Sequence, residues 1–498
     1  MTEQTDARRR ARPAGSLLAL LVLCGILLRV SFLAAPPVDG HHVRQADTAS
    51  IARVMARDTL SLWTPRIGWS GPEAGPVDAE FPLYSAIVAA GWKVMPGEPP
   101  WFARLLSVFF WLFGGIGLRR LLSRRFPDLT AALPLALYVL SPLAVFLSRS
   151  IQPDALAVAL LIWAWERADY ARDSQKPRRA LLQSALLLAL AIALQEPVAL
   201  WLPVVAFAGW AGLEELRGRD VLVVFGMAVL PPTVWHLHAH ELGAQGASLT
   251  LWGAGSGSWS SLSVLLDLPS WRTVVLAGVG HLITPLGAVF AAVGLAGIRE
   301  RQALAVSAAG LGAAAVTVVL LLPAVVTHEY YLLPALPFAS VLAGAGAVRI
   351  WRLALLQGTP SSRVVVLVVG AALLGLSMWR GIGYLSWGWS RDTRIESVAL
   401  SAEKLLPPGT ATVVVDRHPQ TLLYALDQTG WHREVVSPSV IGELRSWGAE
   451  AMLITDTSAS WRDENFMREL LIRHPLVARG DGWNLIRLDV TQGVIGPQ

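Results

Sequence analysis

Ser16-Leu-Leu-Ala-Leu-Leu-Val-Leu-Cys-Gly-Ile-Leu-Leu-Arg-Val-Ser-Phe-Leu-Ala-Ala35 is an apolar run, and Asp39-Gly-His-His-Val-Arg-Gln-Ala-Asp-Thr-Ala-Ser-Ile-Ala-Arg53 follows it almost at once. The run is long enough to span a bilayer as a helix. The polar segment then falls at a membrane face, with carboxylates, adjacent imidazoles and guanidinium groups at the mouth of an apolar protein. Charge of that density needs either a structural partner or a substrate.

Arg8, Arg9, Arg10 and Arg12 precede the run. Small residues at its end, Ala34 and Ala35, also suit a cleaved signal peptide. The run is long for a signal-peptide core and many more apolar stretches follow, so we read it as an uncleaved first helix with a cytoplasmic N-terminus. Hydrophobic residues make up 54% of the chain and charged residues 15%, against roughly 25% charged in soluble proteins. The class is therefore a polytopic membrane protein, and we expect it in the cytoplasmic (inner) membrane. The net charge of +5 reflects arginines at helix ends, with no basic-aromatic stripe, which speaks for membrane orientation and against nucleic acid. The lone Cys24 cannot form an intrachain disulfide and reads as a small buried hydrophobe.

Further spans are expected near 101–120, 129–148, 154–171, 179–194, 197–213, 220–238, 273–297, 303–324, 331–349 and 364–380, giving about 11 transmembrane helices with the first. The arginine- and lysine-rich segments 119–125, 167–179, 216–219, 299–301 and 349–363 all fall on the cytoplasmic side if 82–97 does not cross. That segment is short, contains Lys93 and is bounded by Glu80 and Pro96, so it reads as a helix lying in the outer interface. The outer face then carries the long first loop 36–100, the loops 149–153, 195–196, 239–272 and 325–330, and the tail. From about 395 the alternation of Ala411–Asp416 (strand), Gln420–Gln428 and Val440–Trp447 (helices), Ala451–Thr455 (strand), Phe466–Ile472 (helix) and Trp483–Leu488 (strand) predicts a small α/β domain. The expected division is a transmembrane domain over 1–380 and a C-terminal α/β extracytoplasmic domain over 381–498.

Four outer clusters carry candidate chemistry. In the first loop, Asp47 precedes an amphipathic stretch, where it reads as a helix N-cap. The same position holds a carboxylate ionised and fixed, as a general base requires. Asp39 reads as a turn former. His41 and His42 suit phosphate or metal, without a clear third metal ligand. Arg44 is placed to pair with Asp47 or to grip a phosphate. In Glu80-Phe-Pro-Leu-Tyr84, Glu80 reads as a substrate contact or a helix-terminal carboxylate, with Pro82 in the first helical turn. In Ser148-Arg-Ser-Ile-Gln-Pro-Asp154, Arg149 reads as an interfacial snorkelling arginine or a substrate contact, and Asp154 stands at the entry to a span, where an ionisable group suggests function. In Thr327-His-Glu-Tyr-Tyr-Leu-Leu-Pro334, an aromatic belt accounts for Tyr330 and Tyr331 but not for His328 and Glu329. Weaker signals are His236, His238 and His240 near the end of a span, and the turn Gln195-Glu196-Pro197. No phosphate-binding loop, dinucleotide fingerprint or nucleophile elbow is present. Carboxylates, histidine and arginines on one face of an apolar bundle suit an amphiphile with an anionic head, such as a lipid-linked phosphate.

Taken in order, Arg44–Arg53, Glu80–Tyr84, Arg149–Asp154 and His328–Tyr331 resemble a bacterial branch of the GT-C membrane glycosyltransferases, the superfamily of protein O-mannosyltransferases and lipid A aminoarabinose transferases. The resemblance covers about residues 15–380. It implies transfer of a hexosyl or pentosyl group from a polyprenyl-phosphate donor to a glycan, lipid or protein acceptor on the outer face of the membrane. It also implies Asp47 as base or acceptor-orienting group. Arg44, His41, His42, Glu80, Arg149, Asp154, His328, Glu329 and Tyr330 are then the contacts to donor phosphate or substrate. Better-known members carry an Asp-Glu pair where this chain has Arg44-Gln45, and a lysine near Glu80. The scheme requires no cofactor, and the sequence does not decide on a divalent metal. The competing classes are a transporter or flippase for lipid-linked sugars and a non-catalytic envelope assembly protein. The first predicts ionisable residues at mid-span, whereas here the charges gather on one face.

Overall fold

A computed structural model describes residues 19–125, 128–251 and 258–489. The N-terminal arginines and the start of the first apolar run lie outside the described residues. The chain divides into two compact units: one of residues 1–33, 103–237 and 254–389, the other of 34–102, 238–253 and 390–498.

The first unit is a helical bundle. Among the described residues, five helices are long and apolar enough to cross a membrane, and six if the pair Leu268–Leu282 and Thr284–Leu295, bent by 91°, forms one span. The clearest are Pro100–Arg125, Pro177–Leu194, Gly218–Gly243 and Arg301–Leu320, with a further one beginning at Pro360. Several expected spans are interrupted. The stretch 129–148 breaks at Ser141 into Asp128–Leu140 and Pro142–Leu147. The stretch 197–213 becomes three short pieces, Glu196–Trp201, Leu202–Ala208 and Trp210–Glu214. Proline is the physical reason at most breaks: Pro142, Pro197, Pro203, Pro285 and Pro323 each stand in the first turn of a new helix, where the missing N–H is harmless. Cys24 is exposed rather than buried. It shares its turn of apolar helix with Leu20, Leu23 and Leu27, which are exposed too, so it lies on the outward side of the bundle.

The second unit is built on a six-stranded sheet. Its elements, with those of a smaller sheet, are β1 (Arg66–Ile67), β2 (Ser70–Gly71), β3 (Gly75–Asp78), β4 (Ala247–Ser248), β5 (Thr412–Val415), β6 (Gly430–Arg433), β7 (Ala451–Thr455), β8 (Leu476–Gly480) and β9 (Trp483–Arg487). The large sheet runs β2-β6-β5-β7-β9-β8, and the small one β1-β3-β4. The core β6-β5-β7 is parallel, and β9 and β8 close it antiparallel. Both faces are covered, so β5 and β7 are buried throughout. Val414 and Leu453 point into one cluster with Leu422 and Ile395. Val413, Val415 and Met452 point into the other with Ile441, Leu444 and Phe466. This is the period-two alternation of a strand between two helical layers.

The strands and helices expected after residue 411 are found within a few residues of their expected ends. β6 and β8 were not expected. β6 is only Gly-Trp-His-Arg, and β8 begins two residues after a helix, so neither shows a long apolar alternation of its own. The first loop also joins this unit: β2 pairs antiparallel with β6, and Val38 packs in the core with Ile395. β4 comes from the loop 239–272 and pairs with β3.

The second unit has its own buried carboxylate. Asp416, fully buried, accepts hydrogen bonds from Arg394 at 2.8 and 3.2 Å, from Thr455 at 2.5 Å, from Thr457 at 2.8 Å and from the His418 amide at 2.7 Å. Burial alone would raise its pKa, but the Arg394, Thr455 and His418 donors hold it below the usual carboxylate value. A depressed folded-state pKa adds stability above the unfolded value, and that stability is lost as the pH falls through the folded value. We expect Asp416→Ala to cost about 2 kcal/mol at neutral pH by leaving donors without an acceptor. The wild-type advantage should shrink in acid, as read by denaturation of the full chain followed by tryptophan fluorescence.

Candidate active site

Asp47 belongs to a helix, His42–Arg57, that starts earlier than its sequence suggests. The chain enters this helix through His41, whose φ of 53° lies in the left-handed region. Asp47 is therefore in the second turn and is not the N-cap. Its role at the start of the helix passes to other groups. Gln45 Nε2 donates to Asp39 Oδ1 and to the Gly40 carbonyl, both at 2.8 Å, and Asp39 is buried. Asp39 is thus a buried acceptor that ties the loop to the helix.

The Asp47 carboxylate is 7% exposed and accepts a hydrogen bond from Trp69 Nε1 at 2.8 Å. Burial pushes its pKa up to about 7, and the Trp69 hydrogen bond and the Arg44 charge oppose the rise without cancelling it. A carboxylate with that pKa is half ionised near neutral pH, where a general base works best. Arg44 does not pair with Asp47. Its Nη2 bridges both oxygens of Glu80 at 2.8 and 3.1 Å. Glu80 lies ahead of the neighbouring helix Leu83–Trp92, so this pair ties the two helices together. Pro82 takes the position just before that helix, not its first turn.

His42 turns into the fold of the second unit. Its Nδ1 lies 2.8 Å from Thr421 Oγ1 and its ring meets that of His418 edge-on at 4.5 Å. Burial, with the neighbouring His418, pushes the His42 pKa down to about 4, so the ring is neutral at pH 7. His432 packs edge-on against Trp69 at 4.5 Å and burial likewise pushes its pKa down to about 4. Neutral rings here add no positive charge that would draw down the Asp47 pKa. Further along the helix, Arg53 and Arg57 both bind Glu98. Arg53 stacks over Tyr424 at 3.8 Å and Arg57 pairs with Asp427. The Asp47 helix is clamped to the α/β part of its own unit.

The bundle holds the remaining candidates. Ser148 to Asp154 is wholly buried, so Arg149 is not a snorkelling residue. The segment is irregular, between the helices Pro142–Leu147 and Asp154–Ala171. Neighbours tie it down: Arg29 Nε donates to Ser148 Oγ at 2.6 Å, Ser107 Oγ donates to the Ser150 carbonyl at 2.8 Å, and Arg104 Nη1 lies 3.5 Å from the Arg149 carbonyl. Asp154 sits in the first turn of its helix, where the dipole favours a carboxylate, and accepts from Gln195 Nε2 at 2.8 Å. The Gln152 side-chain amide is buried and hydrogen-bonds to nothing among the described residues.

The last cluster is held from a distant helix. Glu329 Oε1 accepts from Tyr384 Oη at 2.9 Å. Tyr384 stacks on His281 at 4.4 Å, and Arg380 Nη2 lies 3.2 Å from His281 Nε2. His328 stacks on Tyr330 at 5.2 Å. The three histidines near 236–240 do not converge. His236 Nδ1 lies 3.6 Å from Glu196, whereas His238 stacks on Trp63 at 4.0 Å. Among the described residues no group of three or more metal-ligand side chains is suited to hold an ion.

The structure thus joins Arg44 with Glu80, holds Arg149 and Asp154 in one buried segment, and holds His328, Glu329 and Tyr330 in a half-buried one. Sequence reasoning passed over Trp69, Arg29, Arg104, Gln152, Tyr384 and Arg380. Arg29 and Arg104 each interrupt an apolar helix, and that intramembrane charge was the signal available for them. Nothing local marks Trp69, whose role comes from a contact across the fold.

These features are those of a polytopic membrane protein with a second unit built on a six-stranded sheet. No protein-family model matches the chain, and no curated protein matches it in sequence. Solved structures do match. ArnT from Cupriavidus metallidurans, solved bound to undecaprenyl phosphate, is 15% identical with a TM-score of 0.62 over 96% of this chain and 99% of that one. The archaeal oligosaccharyltransferase AglB from Archaeoglobus fulgidus, solved with an inhibitory peptide and a dolichol-phosphate, is 9% identical with a TM-score of 0.55 over 90% of this chain and 70% of that one. At these identities the likeness is one of fold. It covers the C-terminal part as well as the region whose motifs carried the resemblance.

Trp69→Phe keeps the ring and removes the N–H that favours the Asp47 carboxylate. We expect the Asp47 midpoint to move upward from about 7, as followed by infrared difference spectroscopy of the carboxyl band, with no such band in Asp47→Asn. Because the raised pKa makes the folded state the tighter proton binder, stability should fall as the pH rises from about 4 through about 7, and Asp47→Asn should flatten that slope.

Proposed function

We propose that the protein transfers a sugar from a polyprenyl-phosphate donor to an acceptor hydroxyl on the outer face of the cytoplasmic membrane. The carrying observation is Asp47, a buried carboxylate held by Trp69 with a pKa of about 7, on a chain with the fold of lipid-phosphate-bound transferase structures. In this reading Asp47 takes the proton of the acceptor hydroxyl. The acceptor oxygen bonds to the anomeric carbon from the face opposite the phosphate. The bond from that carbon to the phosphate oxygen breaks, and polyprenyl phosphate leaves with the electron pair, inverting the centre. Phosphate is a good leaving group, so the protein's task is positioning and charge stabilisation.

Arg149 and Arg104 are the groups proposed for the phosphate, since buried guanidinium is strongly stabilised by a bidentate oxyanion. Arg44 is given a different part. Bound to Glu80, it sets the field at Asp47 and holds its helix against the neighbouring one. His41 and His328 remain proposed contacts to substrate, with Glu329 and Tyr330 shaping that contact. His42 is engaged by Thr421 and acts through the position of its helix. No step in this scheme passes through a metal.

The purified protein in lipid, given polyprenyl-phosphate sugars labelled in the sugar, should transfer label to an acceptor extract. Asp47→Asn should lower the rate about 10²–10⁴-fold, and Arg149→Gln about 10²–10³-fold. The wild-type kcat/KM should rise with pH to a plateau above about 7. A deletion strain should lose one envelope sugar and accumulate its polyprenyl-phosphate donor. Full transfer by Asp47→Asn would remove the aspartate from the mechanism. Movement of label across the membrane without transfer would point to a carrier instead.

A further inference from the structure

Four of the five arginine-rich segments that set the expected topology come together in the bundle around a cavity of about 690 Å³. This is the size of an ordinary small-molecule site. It lies at the opposite end of the Asp154–Ala171 helix from Asp154: Asp169, near the other end of that helix, lines it, about 22 Å along the axis. It is separate from the buried Arg149–Asp154 segment and takes no part in the proposed reaction.

The walls are of two kinds. One is apolar, with Trp165, Phe338, Val341, Leu342 and Ala345. The other carries five arginines, Arg125, Arg172, Arg299, Arg349 and Arg352, against two carboxylates, Asp169 and Glu300. Those carboxylates are already used: Asp169 binds Arg125 at 2.9 Å and Glu300 binds Arg172 at 3.2 Å. Arg299, Arg349 and Arg352 have no ion pair among the described residues, and the Nη1 of Arg349 is buried without a hydrogen bond there.

The place of Arg349 is built by close packing. Its helix, Ala335–Ile350, meets Thr284–Leu295 where Gly294 and Gly346 bring the two backbones into contact, too close for a side chain at either position. A Cβ at Gly297 would collide with the Arg349 guanidinium. Arginines at helix ends follow from membrane orientation. Orientation alone does not place a half-buried arginine, its Nη1 shielded from solvent and no anion beside it among the described residues, against an apolar wall, because shielding an unpaired charge is costly.

We propose that this cavity binds an anionic phospholipid. The phosphate would lie on Arg349 with Arg299 and Arg352, and an acyl chain along the Phe338–Val341–Leu342 wall. Arginines supply bidentate recognition of the phosphate, and the apolar wall selects a lipid over a free anion. Basic pockets between membrane helices recognise such headgroups. The proposal is independent of the glycosyl-transfer reading.

Native mass spectrometry of the full chain released from detergent tests it, with phosphatidylglycerol, phosphatidylcholine and inorganic phosphate as probes. The wild type should retain one phosphatidylglycerol about tenfold better than phosphatidylcholine, and millimolar phosphate should not displace it. The double variant Arg349→Gln/Arg352→Gln should lose that preference. Ala345→Phe, which fills the apolar wall and keeps every arginine, should lower retention of both lipids. Both variants are to be checked as monodisperse by size exclusion. Equal retention of the two lipids by wild type, unchanged preference in the double variant, or displacement by phosphate alone would overturn the proposal.

Discussion

A backbone carbonyl or amide that leaves a helix inside an apolar bundle has to find its partner within the protein, because no water is at hand to supply one. Much of the first unit answers to that requirement. Where the chain breaks at 141 and again at 148–153, the neighbouring helices provide polar groups. Ser141 Oγ donates to the Leu282 carbonyl at 2.6 Å, and Ser107 and Arg104, one helical turn apart on Pro100–Arg125, reach the carbonyls of Ser150 and Arg149. The breaks are tolerated because they are served in this way, and the served segments are where charged side chains are held deep in the bundle. Arg149 lies within such a served segment, and Asp154 begins the helix that follows it.

The second unit solves a different problem, that of fixing a short loop firmly enough to hold a perturbed carboxylate. A pKa near 7 at Asp47 needs burial without a strong cation beside it. Glu80 contributes by engaging the Arg44 guanidinium that would otherwise be free to reach the carboxylate. Trp69 supplies a neutral donor in its place, and His42 and His432 are kept neutral by burial. The sheet beneath makes this rigid, because β2 and Val38 from the first loop are part of the same fold as β5 and β6. The C-terminal segment is therefore a structural support for the Asp47 helix, which gives it a purpose that its own sequence does not announce.

Motif and pattern served well where the governing interaction is local. Ala451–Thr455 is a strand because its apolar residues alternate between two covered faces, and the structure has it at those residues. Spans interrupted by proline were less legible, since hydropathy registers an apolar stretch at 129–148 and not the restart at Pro142. The sequence puts Asp47 at the N-cap of its helix, whereas the structure has it in the second turn. The helix begins at His42 because Asp39 and Gly40 are bound by Gln45 from within it, a contact that spacing does not display. Of the two readings of Arg149, burial removes the snorkelling one, and burial depends on what surrounds a segment.

By itself the sequence determined the membrane class, the resemblance to the GT-C transferases and the short stretches that hold the candidate chemistry. Hydropathy, proline positions and charge runs are properties of neighbouring residues, and these features depend on nothing more. The tertiary structure alone decided that Trp69, and not Arg44, meets Asp47, that Gln195 meets Asp154, that Tyr384 meets Glu329, and that five arginines from four separate segments surround one cavity. Those pairings join residues far apart in the chain. Each is fixed by the close packing of whole helices and strands, and by the cost of leaving a buried polar group without a partner.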